Sequence, residues 1–292
     1  MKRTIFEGCC TAMVTPFARD VKVDYTKLEL LIERQIESGI NALLFCGTTG
    51  EGSTLSETEQ LSIFCFAVSV VNGRVPVIAN IGSNDTAKTL RMAKSAAYSG
   101  IDALLAITPY YNKTSQTGLL RHFDALQSCV QLPVMLYNVP SRTGMCISPQ
   151  SYIELAKMEH IVAVKEANSD LSAVMASLPL YRSGQLHLYS GNDDLALPLI
   201  SCGAKGLVSV ISNVLPKQTV QLCKLALNGE TEQAALLQCS MMPQMKALFA
   251  DVNPIPIKFA MQAAGVPCGE CRMPLCEPPQ ALQEKLTELF KA

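Results

Sequence analysis

The sequence predicts a (β/α)8 barrel with a helical C-terminal extension, and three observations point to it. From residue 9 to about 210, short apolar runs alternate with polar punctuation and amphipathic stretches long enough for helices. The apolar runs number eight, and eight parallel βαβ units close most economically as a barrel. The chain has 292 residues, which suits one barrel of about 250 residues with an appendage. An open, doubly wound sheet is the main alternative, since the same alternation need not close.

The first strand is read in CCTAMVT (9–15), an apolar run ended by Pro16. DYTKLELLIERQIESG (24–39) follows as a helix: Leu28, Leu31, Ile32 and Ile36 share one face and Gly39 supplies the stop. The next strands are ALLF (42–45), VPVIA (75–79), ALLAIT (103–108) and PVMLYN (133–138). IVAVK (161–165), LHLYS (186–190) and GLVSV (206–210) complete the set. Beyond them, the stretches 215–250 and 278–292 carry helical patterns with no strand between them. The expected division is a barrel over 1–224 and an extension over 225–292 packed on it. No Gly/Ser/Pro tract or charge run marks an independent second domain.

Composition narrows the class of function. The chain is 49% hydrophobic and 17% charged, with a net charge of −1, so it has ample material for a core. No Lys/Arg block with interleaved aromatic residues occurs, which argues against nucleic acid and leaves small uncharged or acidic partners. The N-terminal stretch MKRTIFEGCCTAMVTPF has Glu7 and Pro16 where an export signal needs an unbroken apolar segment, and no run has the length of a membrane span. Most of the twelve cysteines sit in apolar runs, where a thiol behaves as a small hydrophobe, and a reducing cytosol fits that usage. Cys268, Cys271 and Cys276 in CGECRMPLC form one metal-like cluster. It lacks the second pair or histidine that would complete a zinc site, so no metal is expected.

In such a barrel the site forms at the C-terminal ends of the strands. There the sequence puts GTTGEGSTLSETEQ (47–60), TPYYNKT (108–114), YNVPSRTG (137–144), Lys165 and SGNDD (190–194), with Val208 near the end of the eighth strand. Hydroxyls, phenols, one amine and one guanidinium thus converge on one rim. Burial at a strand end disfavours an ammonium, and the freed amine of Lys165 can form a Schiff base with a carbonyl substrate. Pairing with Glu166 is the competing role for Lys165, although neighbours in a strand point to opposite faces. Tyr137, on the adjacent strand, can move protons for that amine or serve as a core tyrosine with a wet tip. Thr48 and Thr49 offer hydroxyls and backbone N–H groups to a small carboxylate. Arg142 suits bidentate capture of a second carboxylate, or is an ordinary loop arginine.

Taken together, GTTGEGSTL, YYNK, YNVPSRTG, VAVKEAN, YSGNDD and NPIPIKFA closely resemble the dihydrodipicolinate synthase family, within the pyruvate-dependent class I aldolases and lyases. The match runs in order through nearly the whole chain. The resemblance implies a cofactor-free condensation of pyruvate with L-aspartate 4-semialdehyde on the way to diaminopimelate and lysine. It implies that Lys165 carries the pyruvate Schiff base, with Tyr137 as its nearest acid/base, and that Thr48 links Tyr137 to Tyr111 in a hydroxyl relay. Thr49 would bind the pyruvate carboxylate, Gly191 and Val208 would add backbone contacts, and Arg142 would hold the semialdehyde carboxylate. A homotetramer of tight dimers is also implied, with Tyr111 crossing into the neighbour's site.

Relatives that cleave N-acetylneuraminate share the lysine and the tyrosine. Arg142 in PSRTG and the paired threonines favour the synthase. Another pyruvate aldolase remains the second expectation, and a non-catalytic, carboxylate-binding barrel the third. Lysine-inhibited members place histidines after GTTGE and a glutamate at the start of the third barrel helix. Glu57, Gln60 and Lys88 stand at those positions here, while Asn84 and Tyr110 are kept. Weak or absent feedback by lysine is therefore expected, because Lys88 sets like charge near the effector's ammonium.

Overall fold

In the computed structural model, which describes residues 2–291, the eight strands pair in chain order into one closed parallel barrel. They are β1 (Gly8–Ala12), β2 (Ala42–Phe45), β3 (Val77–Asn80), β4 (Ala103–Ile107), β5 (Val134–Asn138), β6 (Ile161–Glu166), β7 (His187–Ser190) and β8 (Gly206–Ser209). Pairing of β8 back onto β1, from Gly8 opposite Gly206 to Thr11 opposite Ser209, closes the ring and rules out the open sheet. Two glycines meet at this seam for a steric reason. A Cβ on Gly206, whose φ is +155°, would lie 1.9 Å from the Gly8 carbonyl oxygen.

The first barrel helices are α1 (Tyr25–Glu37), α2 (Glu57–Val71), α3 (Thr86–Ala97) and α4 (Gln116–Cys129). Each starts at a side-chain cap: Asp24, Ser56, Asp85 and Ser115 accept backbone N–H bonds from the first turn. At α2 the cap is reciprocal, because the Glu59 carboxylate also accepts from the Ser56 N–H. The expected face of α1 is buried at Leu28, Leu31 and Ile32, but Gln35 is buried in place of Ile36. The Gln35 amide explains the exchange, since it accepts from the Thr11 hydroxyl and donates to the Ser212 carbonyl, both at 2.8 Å.

Between β5 and β8 the helices shorten: α5 (Pro140–Thr143), α6 (Pro149–Lys157), α7 (Leu171–Met175), α8 (Leu178–Arg182) and α9 (Ala196–Ser201). Then come α10 (Pro216–Leu227), α11 (Thr231–Ala247), α12 (Ile255–Ala263) and α13 (Gln280–Phe290). The expected boundary after residue 224 falls inside α10, which packs on β1 and β8 as the eighth barrel helix. Residues 1 and 292, the outer ends of the two expected units, lie outside the described residues. The helical reading of 215–250 and 278–292 left out α12. Its prolines at 254 and 256 look like breakers, yet proline is well tolerated in a first helical turn, where its missing N–H has no partner to lose.

Two apolar layers result. The outer one, between strands and helices, includes Leu43, Phe45, Phe64, Phe123, Val164 and Leu188, and each such side chain contributes about 2 kcal/mol relative to exposure. The inner one lines the barrel with small residues, Ala12, Ala42, Ala103 and Ala163 among them, and is filled below by Tyr189 stacked on Phe6 at 4.3 Å. The small residues leave room above for a long side chain.

Candidate active site

Lys165 is that side chain. Alternation in β6 sends Ala163 and Lys165 into the barrel and Val164 and Glu166 to the helix layer. A register shift beside Val134 and Met135 leaves Val162 unpaired, so Ile161 faces outward although it lies four residues before Lys165. Lys165 then pairs in register with Tyr137 of β5, and its Nζ sits 4.3 Å from the centre of the Tyr137 ring. Both residues are buried, at 6% and 7% exposure. Among the described residues no carboxylate pairs with Nζ.

Pairing of Lys165 with Glu166 is therefore excluded. The Glu166 carboxylate turns outward and accepts from Asn138 Nδ2 at 2.9 Å, the Tyr152 hydroxyl at 2.9 Å and the Asn168 N–H at 2.9 Å. Burial pushes its carboxyl up, and those three donors oppose the shift. Tyr152 is raised well above an ordinary phenol, first by burial and then by the Glu166 charge. It holds its proton for that bond.

The turn after β2 carries the threonines. Thr48 is half-buried and lines a cavity of about 200 Å³ together with Tyr137, Gln60, Lys88 and Tyr110. Thr49 is buried, and its Oγ1 accepts from Asn253 Nδ2 at 3.0 Å. The turn is tight, with Gly52 N–H bonded to the Gly47 carbonyl and a would-be Cβ on Gly52 only 2.0 Å from the Cys46 oxygen. Glu51 leaves it at φ +54° and forms a buried ion pair with Lys258 at 2.5 Å.

The other expected residues fall as follows. Arg142 stands exposed on α5, where the Thr143 hydroxyl donates to the Met145 carbonyl at 2.9 Å, with the Val139 carbonyl at 3.2 Å as a second acceptor in reach, and fixes the turn beneath it. Gly191 ties the end of β7 to β6 through its N–H on the Glu166 carbonyl at 2.7 Å, which leaves its own carbonyl for other contacts. Val208 is fully buried in the barrel interior. Tyr111 is 90% exposed with φ +67°, and no hydrogen bond joins it to Thr48 within the chain. Its turn is held by Asn112, which bonds the Tyr110 and Asn84 carbonyls at 2.9 Å.

Asn138, Tyr152, Asn253 and Lys258 were not anticipated. Asn138 was legible only as the residue after Tyr137, Tyr152 reaches Glu166 from a different element, and Asn253 and Lys258 act across about 200 residues. Cys268 is buried, Cys271 half-buried and Cys276 exposed, and among the described residues no cluster of three His, Cys, Asp or Glu is placed to hold a metal ion.

A closed barrel with an amine buried at the C-terminal mouth and a phenol against it is the build of the barrel lyases. The model of the dihydrodipicolinate synthetase family matches residues 5–292, and the chain belongs to that family. It is similar to a 4-hydroxy-tetrahydrodipicolinate synthase of Clostridium novyi (strain NT), 43% identical over 288 residues that span 99% of this chain and 95% of the relative. Among solved structures it resembles a dihydrodipicolinate synthase at a TM-score of 0.94 and 42% identity, covering 97% of this chain and 98% of that one. It also resembles a protein described as the first monomeric dihydrodipicolinate synthase variant, at a TM-score of 0.95 and 38% identity, covering 98% and 96%. The chain is thus an enzyme of the lyase class.

Proposed function

We propose that the enzyme condenses pyruvate with L-aspartate 4-semialdehyde as a 4-hydroxy-tetrahydrodipicolinate synthase, in the pathway to diaminopimelate and lysine. The observation that carries this reading is the Lys165 amine, buried without an acidic partner and set over the Tyr137 ring. An amine so placed attacks the pyruvate carbonyl carbon, and loss of water leaves a Schiff base. Loss of a methyl proton gives the enamine, whose carbon adds to the semialdehyde carbon. The amino group of the semialdehyde then displaces Lys165 and closes the ring. Tyr137, paired in register with Lys165 and with its ring centre 4.3 Å from Nζ, would move the protons of these steps. Thr48, lining the same cavity as Tyr137, would carry those protons onward to Tyr111.

Thr49 would hold the pyruvate carboxylate, with Gly191 and Val208 alongside, and the exposed guanidinium of Arg142 would hold that of the semialdehyde. Family membership supports these assignments, as does the grouping of the side chains at one end of the barrel. No helix among the described residues is long and apolar enough to cross a membrane, which is compatible with work in the cytoplasm. Assembly as a homotetramer of tight dimers belongs to the same reading, as does weak or absent inhibition by lysine. The direct test is substrate preference. Purified protein should consume aspartate semialdehyde with pyruvate and cleave N-acetylneuraminate far more slowly, and the reverse order would sink the proposal.

A further inference from the structure

The stretch NPIPIKFA, residues 253–260, takes no part in the reaction just drawn, yet it touches the substrate turn twice. Asn253 Nδ2 donates to Thr49 Oγ1 at 3.0 Å, and the two residues are 5% and 3% exposed. Five residues on, Lys258 forms its ion pair with Glu51, and Glu51 Oε2 also accepts from the Arg272 N–H at 2.8 Å. Residues 49–51 are therefore clamped from the C-terminal extension.

A hydroxyl has one proton to give. With its oxygen accepting from Asn253, the Thr49 O–H is directed away from the amide and left to donate to an arriving acceptor. Asn253 Oδ1 is buried with no partner among the described residues. Turning the amide over would satisfy Oδ1 with the threonine proton and take that proton from the site. A bound anion favours the first orientation, because a chain of amide N–H to hydroxyl to carboxylate polarises in one direction. We propose that Asn253 is a positioning residue that aims the Thr49 proton at the carboxylate of the keto-acid substrate, an assignment that rests on the role given to Thr49 above. The extension is then part of the substrate site as well as a brace for the barrel.

The test is the pyruvate concentration that half-saturates borohydride trapping on the full-length enzyme. Asn253→Asp keeps the shape of the side chain but only accepts, so it captures the Thr49 proton and sets negative charge near the substrate's. It should raise the half-saturating concentration at least about tenfold, with the KM for the semialdehyde little changed. Asn253→Ala should raise it less. Thr49→Val should raise it by about tenfold, and Asn253→Ala added to Thr49→Val should add less than about twofold, because the two residues act as one. If the double variant shows the full product of the single effects, Asn253 does not act through Thr49 and the proposal is overturned. The same holds if the Asn253 variants lower only kcat or the thermal midpoint. If Thr49→Val leaves the pyruvate dependence unchanged, the role of Thr49 itself is wrong, and the proposal falls with it.

Discussion

Lys165 and Glu166 are neighbours in the chain and occupy different environments. The amine lies in the barrel against an aromatic ring, and the carboxylate lies in the helix layer with three donors. Separation suits the proposed chemistry, because a carboxylate bonded to a lysine amine favours its charged form and so opposes attack on a carbonyl. The expected weak response to lysine rests on charge at a single residue. Among the described residues, Lys88 is the one charged side chain lining the cavity next to Thr48 and Tyr137, and Glu57 is already engaged by Arg91 at 2.8 Å. An amino acid's ammonium entering there meets a cation where the inhibited relatives offer an acid. Initial-rate assays with added L-lysine should therefore show nearly full activity at millimolar concentrations, and half-inhibition in the sub-millimolar range would contradict this.

At the level of elements, the C-terminal extension is strapped to the start of α2. Arg272 bonds Glu59 at 2.6 Å, donates to the Thr54 carbonyl and lies over the Phe17 ring. The bond from Arg272 holds the Glu59 carboxyl down at about 2. A carboxyl whose pKa is depressed in the folded state contributes stability that is present above its unfolded pKa and lost as pH falls toward the folded one. Arg272→Ala should thus lower unfolding stability by about 1–2 kcal/mol at neutral pH. Its deficit relative to the parent should shrink as pH drops from about 4.5 toward 2. Denaturant titrations across that range would show it, and a deficit independent of pH would assign the loss to packing on Phe17.

The strands were legible because each is an apolar run between polar punctuation, a signal local in sequence. Their ends were less so: β1 runs from Gly8 to Ala12, not over 9–15, because its pairing begins at Gly8 opposite Gly206 and ends at Ala12 opposite Leu44. The inward aim of Lys165 agrees with strand alternation, but the unpaired Val162 that turns Ile161 outward left no sign in the sequence. Asn253 on Thr49 and Lys258 on Glu51 span about 200 residues, and no periodicity reports such a pair. Only the resemblance brought NPIPIKFA to notice, without giving it a task.

For the whole molecule, the position of Tyr111 is the feature one chain leaves unresolved. A tyrosine held at φ +67° and 90% exposed is strained and unprotected by its own fold, and left-handed backbone costs a bulky residue about 1–2 kcal/mol. A neighbouring subunit that receives its phenol would give that conformation a use. Light scattering should accordingly find a tetramer, with activity falling as dilution releases monomers, and a fully active monomer would remove the shared relay. The similarity to a protein described as a monomeric variant makes this measurement informative.

The central claim is that Lys165 is the nucleophile. Incubation with pyruvate and borohydride, followed by intact mass and peptide mapping, should show one irreversible pyruvate-derived adduct per chain, located on Lys165. Folded protein that takes up no pyruvate-dependent label, or takes it up at another lysine, would contradict the account.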